Sequence, residues 1–379
     1  MANENLSKAK NAKNDEFYTQ YEDIQREINA YLEYNPDLFR GKTILLPCDD
    51  PEWSNFTKFF AQNFVNFGLK KLISTSYAIE SKGIETEYYS SLFETESPKF
   101  DADKTKTHGK IFTLTRDNDK SDKIDIDDLE WAYLEGDGDF RSDEVKALRD
   151  EADIIITNPP FSLFREFLAW IIEADKKFVI IGSMNAITYK EVFPLIKENK
   201  MWLGNGFNSG NAYFKPMNIQ EYAQGVFNEE TGLVKFRNCC WFTNIDHGRR
   251  HQPLSLMSMA DNIKFSKHKE VRDSGYKKYD NYDAIEVPFT DSIPSDFDGV
   301  MGVPISFLPK YCPEQFEILG MCENLDLYGL KTRVYTTQEC QERYFEIFGK
   351  KGTYDLNASG VVNGYKVYQR ILIRKKVSE

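Results

Sequence analysis

Residues 153–164 read Asp-Ile-Ile-Ile-Thr-Asn-Pro-Pro-Phe-Ser-Leu-Phe, a β-branched run that leads directly into Asn158-Pro159-Pro160-Phe161. Consecutive β-branched residues are typical of a central parallel strand that is covered on both faces. The two prolines end the strand, because proline has no backbone N–H to donate to a neighbouring strand. Open α/β sheets bind ligands at the carboxyl ends of their strands, so this turn lies where a binding site is expected.

The groups in this turn suit a planar ligand that carries an amine. An exocyclic amine has two N–H donors, and the Asn158 side chain and the Pro159 carbonyl can supply two acceptors. The Phe161 ring can supply a flat stacking surface. The turn, Pro160 included, therefore predicts a catalytic pocket for a group such as adenine. The alternative is a tight Pro-Pro turn with a core phenylalanine; the strand before the turn and the amphipathic helix expected after it favour the pocket.

The rest of the N-terminal half alternates between strand and helix patterns. Strands are expected at 42–47, 71–77 and 177–182, and helices at 53–67, 142–151 and 164–174. This order predicts an α/β fold with a doubly wound, mostly parallel Rossmann-like sheet. Residues 81–123 are polar and irregular, which indicates an insertion with a hairpin at 110–115.

The composition changes beyond about residue 222, where short strands are separated by Gly, Pro and Asn turns. We therefore expect a first domain at 1–245 and an α+β region at 246–379, whose last strand returns to the core of the first domain.

Length and composition limit the classes of protein. The 379 residues, 41% hydrophobic and 14% aromatic, predict a globular protein of about two domains. The polar N-terminus lacks a signal-peptide pattern, and no apolar run approaches the roughly 18 residues of a membrane span. Six cysteines without C-x₂-C spacing and only four histidines argue against a structural zinc site. We expect a cytoplasmic protein with reduced thiols, no metal and no membrane partner.

Charge is unevenly distributed along the chain. The net charge is −12, yet residues 233–280 contain 10 basic and 5 acidic side chains, whereas residues 101–153 contain 17 acidic and 9 basic ones. A polyanion responds to the local surface rather than to the net charge. The basic stretch predicts a DNA-binding surface, with a solvated basic loop as the alternative. The candidate phosphate contacts are Arg249, Arg250, Lys264, Lys267 and Lys269.

An ordered set of motifs resembles the EcoRI-type adenine-specific DNA methyltransferases. The motifs are Asp15-Glu16-Phe17-Tyr18-Thr19-Gln20-Tyr21 and those at 48–56, 136–142, 158–161, 182–191, 241–244 and 296–304. The resemblance implies S-adenosyl-L-methionine as methyl donor, N6 of a flipped adenine in double-stranded DNA as acceptor, and a C-terminal target-recognition region. It also implies a restriction-modification system with a cognate restriction endonuclease, and catalysis by a monomer.

The resemblance also implies which residues bind the cofactor. They are Phe17, Tyr18, Thr19, Cys48, Asp49, Asp50, Asn55, Asp139, Phe140 and Asn158. In this assignment residues 17–19 close over the methionine carboxylate, Asp139 accepts from the cofactor's adenine amine, and Phe140 packs on its ring. The alternatives are a hydrophobic staple at 17–19, a helix N-cap at 49–50 and an ordinary acidic turn at 136–140.

Two departures from methyltransferases in general concern the strand ends. The first strand ends in Pro47-Cys48-Asp49-Asp50-Pro51, without the usual glycine-rich loop. The second strand lacks an acidic residue at its end for the ribose hydroxyls, which leaves only Glu80 as a loose candidate.

Other activities remain as competing hypotheses at this stage. An RNA or protein-glutamine methyltransferase would also present a planar amine or amide to Asn-Pro-Pro-Phe, and the chain could be a DNA-binding protein without catalysis. The basic C-terminal half favours a large polyanionic substrate. N4-cytosine methylation is disfavoured, because related enzymes with that activity usually carry Ser in place of Asn158.

Overall fold

The computed structural model describes residues 17–49, 54–78, 99–115, 130–207, 211–216, 222, 224–323, 325–351 and 360–376. The chain divides into two compact units, one formed by 1–195 with 201–248 and the other by 196–200 with 249–379.

The strands of the described residues are numbered in chain order. They are β1 (Phe17–Thr19), β2 (Thr43–Leu46), β3 (Lys71–Thr75), β4 (Lys110–Thr115), β5 (Glu130–Tyr133), β6 (Ile154–Thr157), β7 (Lys177–Ser183), β8 (Trp202–Leu203), β9 (Ala212–Pro216), β10 (Phe227–Asn228), β11 (Leu233–Phe236), β12 (Cys239–Thr243), β13 (Ala284–Glu286), β14 (Val300–Pro304), β15 (Phe316–Met321), β16 (Gly360–Val362), β17 (Tyr365–Val367) and β18 (Arg370–Lys375).

The helices are numbered in the same way. They are α1 (Tyr21–Tyr34), α2 (Asn55–Gln62), α3 (Phe64–Phe67), α4 (Lys104–Thr107), α5 (Asp143–Glu151), α6 (Phe164–Glu173), α7 (Phe193–Lys197), α8 (Met259–Phe265), α9 (Lys269–Ser274) and α10 (Thr337–Phe348). Among the described residues, none of the helices has the length and apolarity needed to cross a membrane.

The first unit contains an eight-stranded sheet in the order β5-β4-β3-β2-β6-β7-β12-β8. The four central strands, β3, β2, β6 and β7, pair in parallel. The two strands at each edge pair antiparallel. The predicted α/β class is confirmed, and the sheet is mixed, with its parallel pairing confined to the centre.

Strand β4 corrects the prediction of an insertion at 81–123. Residues 110–115 do not form a separate hairpin: they pair antiparallel with β3 on one side and with β5 on the other. They are therefore part of the main sheet. The remainder of the predicted insertion, at 81–98 and 116–123, lies outside the described residues.

Helices cover both faces of the central strands. Alternate strand residues, including Ile44, Ile154 and Ile181, share one buried cluster with α1 and α2. Gly182 points to the other face, where a Cβ atom would lie 2.4 Å from the Phe164 ring of α6. Because successive strand side chains alternate between faces, glycine at 182 allows α6 to pack closely against β7.

A second, smaller sheet in this unit has the order β1-β9-β11-β10, all antiparallel. It brings the N-terminal residues Phe17, Tyr18 and Thr19 opposite residues 214–216 of β9. Strand β1 is too short to be stable alone, so its position depends on β9.

The second unit contains a four-stranded sheet in the order β13-β14-β18-β15 and the hairpin β16–β17. Strand β18 lies between β14 and β15 and pairs antiparallel with both. The prediction that the last strand returns to the N-terminal sheet is therefore wrong, because its two hydrogen-bonding edges are occupied within the second unit.

Candidate active site

The candidate site lies where the order of the parallel strands reverses. Strand β3, which follows β2 in the chain, lies on one side of β2. Strand β6 lies on the other side of β2, and β7 lies beyond β6. The carboxyl ends of β2 and β6 are neighbours at this point, since Leu45 pairs with Ile155. Such switch points form the ligand-binding crevice of open α/β sheets. The two motifs that follow these strands, at 47–49 and 158–161, are therefore brought together.

Asn158 is held by the N-terminal strand. Its side-chain nitrogen donates to the Phe17 carbonyl at 2.7 Å. Its side-chain oxygen is buried and has no hydrogen-bond partner among the described residues. Since buried polar atoms are nearly always paired in native proteins, this acceptor at a strand end is available to a ligand that donates to it.

Asp49 joins three strand ends. Its carboxylate accepts from the Ser54 hydroxyl at 2.9 Å and from the Thr157 hydroxyl at 2.6 Å, and Thr157 also contacts the Pro47 carbonyl. Its main-chain carbonyl accepts from the Ser74 hydroxyl at 2.9 Å. Asp49 is 4% exposed; its carboxylate ties the end of β2 to β6, and its main-chain carbonyl ties it to β3. Asp50, the other half of the predicted pair, lies outside the described residues.

Cys48 adopts the left-handed conformation, with φ of 65°. Glycine adopts this conformation without the Cβ penalty that other residues pay. Cys48 thus makes the sharp turn at the end of β2 in a conformation that glycine adopts more easily.

Phe161 lies in a cluster of four phenylalanines. Its ring centroid is 6.3 Å from those of Phe17 and Phe214 and 5.8 Å from that of Phe236. Phe17, Phe214 and Phe236 come from three strands of the smaller sheet, so this sheet covers the Asn-Pro-Pro-Phe turn. The sequence did not single out Phe214 or Phe236; in the structure the burial of β9 alternates, as in a strand covered on one face.

Thr19 and Asn55 connect the smaller sheet to α2. The Asn55 side chain donates to the Thr19 carbonyl at 2.7 Å. The Thr19 hydroxyl is buried and has no partner among the described residues. The structure therefore brings together Phe17, Thr19, Asn55 and Asn158, which the sequence predicted as cofactor-binding residues.

Comparison with known proteins places this site in a family. Residues 5–376 match the family described as adenine-specific methyltransferase EcoRI. The chain belongs to this EcoRI methyltransferase family. It is 42% identical over 327 residues, 86% of this chain and 91% of the relative, to the Type II methyltransferase M.EcoRI of Escherichia coli. None of the solved structures matches the chain significantly.

Two mycoplasma proteins show the same relationship at lower identity. The Type II methyltransferase M.MpnI of Mycoplasma pneumoniae is 32% identical over 336 residues, 87% of this chain and 90% of the relative. The Type II methyltransferase M.MgeORF184P of Mycoplasma genitalium is 32% identical over 379 residues, 98% of each chain. The predicted membership of the EcoRI-type family is confirmed.

Two residues predicted to bind the cofactor in this EcoRI-type methyltransferase have other partners. The Asp139 carboxylate forms a two-pronged ion pair with Arg141, at 2.9 Å and 2.6 Å. This pair and Glu166 raise the pKa of the Arg141 guanidinium. Phe140 is 5% exposed and packs against Phe167 and Trp170 of α6. Burial leaves little of the Phe140 ring for a ligand, so its predicted stacking role is corrected to core packing.

The glycines beside these residues have a packing role. A Cβ atom at Gly138 would lie 2.2 Å from the Ser76 carbonyl oxygen, and one at Gly109 would lie 2.8 Å from the Cα of Gly138. The main chain of 136–139 therefore crosses closely over the end of β3. Glu80, the loose ribose candidate, lies outside the described residues.

The predicted phosphate contacts are only partly accessible. Arg249, Lys264, Lys267 and Lys269 are exposed. Arg250 is 7% exposed and its guanidinium contacts Asn199, so burial removes it from the candidates. Within the described residues, no group of three or more His, Cys, Asp or Glu side chains is arranged to hold a metal ion.

Proposed function

We propose that this protein transfers a methyl group from S-adenosyl-L-methionine to N6 of an adenine flipped out of duplex DNA. The observation that carries this proposal is the buried, unpaired side-chain oxygen of Asn158 at the switch point of the sheet. Because the Asn158 nitrogen is held by the Phe17 carbonyl, the oxygen is the atom left to accept from a ligand amine.

The residues of the turn act on the adenine amine. The Asn158 oxygen accepts one N–H, and the Pro159 carbonyl accepts the other. The lone pair of N6 is conjugated with the ring, and two acceptors favour the pyramidal nitrogen that forms as the methyl group is transferred. They therefore bind the transition state more tightly than the ground state. Phe161, which is half-buried, offers ring surface on which the base stacks.

The residues beside the turn suit the methyl donor. The donor supplies an electrophilic methyl group and carries an amino-acid carboxylate, which needs hydrogen-bond donors. The buried Thr19 hydroxyl is such a donor and lacks a partner among the described residues. Tyr18, Cys48 and Asp49 line the adjoining strand ends, and Asp139 would accept from the donor's adenine once Arg141 is displaced.

Several observations support DNA as the substrate. The family is described as adenine-specific, and the three relatives are named Type II methyltransferases. In a duplex, one N–H of N6 is paired with thymine and only the other faces the major groove, so two acceptors can hold the amine only after the base leaves the stack. We assign 1–245 as a doubly wound, Rossmann-like catalytic domain and 246–379 as the target-recognition region, in a cytoplasmic restriction-modification system with a cognate endonuclease.

The test is transfer of tritiated methyl groups from S-adenosylmethionine to duplex DNA, RNA and protein, compared for the wild type and Asn158→Ala. We expect label in duplex DNA alone, as N6-methyladenine, and loss of label with the variant. Label in RNA or in protein glutamine would overturn the proposal in favour of those substrates. Methylation-sensitive long-read sequencing of the product DNA then identifies the recognition site.

A further inference from the structure

Helix α8 presents an apolar surface to solvent. Its inward side is held by Asn262, which is 0% exposed, and by Ser266 at its end, which is 6% exposed. Its outward side carries Ile263, 41% exposed, and Phe265, 62% exposed. A phenylalanine this exposed gains little free energy from burial in the protein, so its ring is available to stack on a ligand or partner.

The helix is anchored, which keeps this surface facing outward. The Ser258 hydroxyl caps it by accepting from the Asp261 main chain at 3.1 Å, and Asp296 accepts from the Met259 main chain at 2.7 Å. At the other end, the Arg272 guanidinium of α9 contacts the Ser266 carbonyl.

One lysine contacts the exposed ring, and two more follow it in sequence. The Lys264 ammonium lies 4.8 Å from the centroid of the Phe265 ring. Lys267 and Lys269 follow, and their side chains are 73% and 82% exposed. Lys267 pairs with Asp291 at 2.7 Å and Lys269 with Asp273 at 4.0 Å. Pairs this exposed contribute little, so phosphates can displace them.

Another exposed aromatic surface in the same unit differs in charge. Helix α10 exposes Phe345 and Phe348, at 53% and 54%. Glu342, Arg343 and Glu346 lie within three residues of Phe345, and Arg343 pairs with Glu346 at 3.0 Å, so the local charge is −1. Lys264 and Lys267 lie within three residues of Phe265 with no acidic residue among them, a local charge of +2. Acidic neighbours repel a polyanion, whereas the lysines around Phe265 attract one. Charge complementarity therefore selects α8, and not α10, as a surface for nucleic acid.

We propose that the Phe265 ring stacks against bases of the duplex that carries the target adenine, while Lys264 and Lys267 neutralise the adjacent phosphates. The inference rests on the proposed function. Flipping or kinking a duplex exposes base faces, and an aromatic side chain inserted there recovers part of the lost stacking. An ammonium beside the ring suits this role, since a cation next to a stacked base can neutralise a nearby backbone phosphate.

The experiment compares Phe265→Ala with Phe345→Ala, an exposed phenylalanine on the acidic surface. Binding of each full-length protein to fluorescein-labelled duplex containing the methylated site is measured by anisotropy. We expect Phe265→Ala to raise Kd about tenfold, to leave the salt dependence of Kd unchanged, and to keep the melting temperature and S-adenosylmethionine binding of the wild type. Phe265→Trp should restore Kd, and Lys264→Ala should reduce the salt slope by about one.

Two results would overturn the inference. One is Kd for Phe265→Ala within twofold of the wild type; the other is an equal loss with Phe345→Ala. Either result, obtained with a wild type that methylates the DNA, removes the role of Phe265 and leaves the proposed function intact. A wild type that methylates no duplex DNA removes the proposed function itself.

Discussion

The side-chain nitrogen of Asn158 donates a hydrogen bond of 2.7 Å to the Phe17 carbonyl, 141 residues earlier in the chain. This bond fixes the orientation of the Asn158 amide: its nitrogen is bonded to Phe17, and its oxygen has no partner among the described residues. Strand β1 therefore does more than cover the site: it selects which atom of Asn158 is presented to a ligand. The N-terminal motif and the Asn-Pro-Pro-Phe turn form one structural unit.

Replacing Asn158 by alanine should abolish most methyl transfer. The variant lacks the acceptor for one N–H of the adenine amine, and removal of one such group in an active site costs about 10²–10³ in rate. Single-turnover transfer of tritiated methyl groups measures the loss, and calorimetry of S-adenosylmethionine binding serves as the control for folding. A turnover within tenfold of the wild type would contradict the assigned role.

Asn158→Asp distinguishes the role of the amide oxygen from that of the amide nitrogen. Aspartate keeps an acceptor oxygen but cannot donate to the Phe17 carbonyl, so β1 is held less well. We expect its turnover to lie between those of the wild type and the alanine variant, with a larger rise in KM for the methyl donor than in KM for DNA. An aspartate variant as inactive as the alanine variant would show that the bond to Phe17 is itself essential.

Replacing Cys48 by glycine should be tolerated. Because Cys48 has a φ of 65°, glycine relieves the left-handed strain while increasing the freedom of the unfolded chain. We expect a change in the free energy of unfolding of less than about 1 kcal/mol, whereas Cys48→Val should destabilise by about 1–2 kcal/mol. Urea unfolding of both variants measures the difference. A glycine variant less stable than the valine variant would rule out backbone conformation as the reason for this residue.

The local patterns predicted the central strands well, because strands such as β6 combine continuous burial with a proline stop. They failed where the partner is distant in sequence. Strand β4 alternates buried and half-buried residues, a pattern equally typical of a surface hairpin, and its partner β3 lies 35 residues earlier. The pattern of β18 likewise identifies a strand without identifying its sheet.

The positions of side chains, unlike the strands, were only partly predictable from the sequence. Asn158 and Phe17 lie together as their motifs imply. Phe140 and Arg250 are buried and not exposed to a ligand as predicted. The sequence alone does not distinguish a buried aromatic ring or guanidinium from an exposed one. The predicted helix at 53–67 is interrupted at Asn63, whose side chain donates to the Phe59 carbonyl at 2.9 Å and competes with helical bonding.

Stability should decrease at alkaline pH through Cys239. Burial raises the pKa of this thiol from 9.0 to about 12. Between pH 9 and pH 12 the folded protein keeps a proton that the unfolded chain has lost, so the free energy of unfolding falls as the pH rises. Well below pH 9 the thiol is protonated in both the folded and the unfolded state, so the stability that this thiol contributes is fully retained there. We expect Cys239→Ala to remove about 1–2 kcal/mol of the decrease between pH 8 and pH 10.

Urea unfolding at the two pH values measures that slope, with Cys312→Ala as the matched control. The pKa of the Cys312 thiol is also raised by burial, but to a smaller degree. Equal slopes for the wild type and Cys239→Ala would show that this thiol does not contribute.

Glu27 should be essential for the loop that leads to β9. The residue is 0% exposed, and its carboxylate accepts from the main chains of Asn205 and Gly206, at 2.8 Å and 2.9 Å, and from the Tyr31 hydroxyl at 2.7 Å. Burial and this carboxylate raise the pKa of Tyr31 well above its usual value. Glu27→Ala leaves three donors unpaired, each at a cost of about 1–3 kcal/mol, so we expect a destabilisation of at least about 3 kcal/mol.

The functional consequence follows from the sheet, because β9 pairs with β1 and β1 positions Asn158. Glu27→Ala should therefore lower methyl transfer even at temperatures where the variant is folded. Tyr31→Phe is the control: it removes one hydroxyl and should cost about 1 kcal/mol without affecting turnover. Urea unfolding and tritium transfer at 15 °C measure both effects. A Glu27→Ala variant as stable and as active as Tyr31→Phe would show that the loop holds its position without the carboxylate.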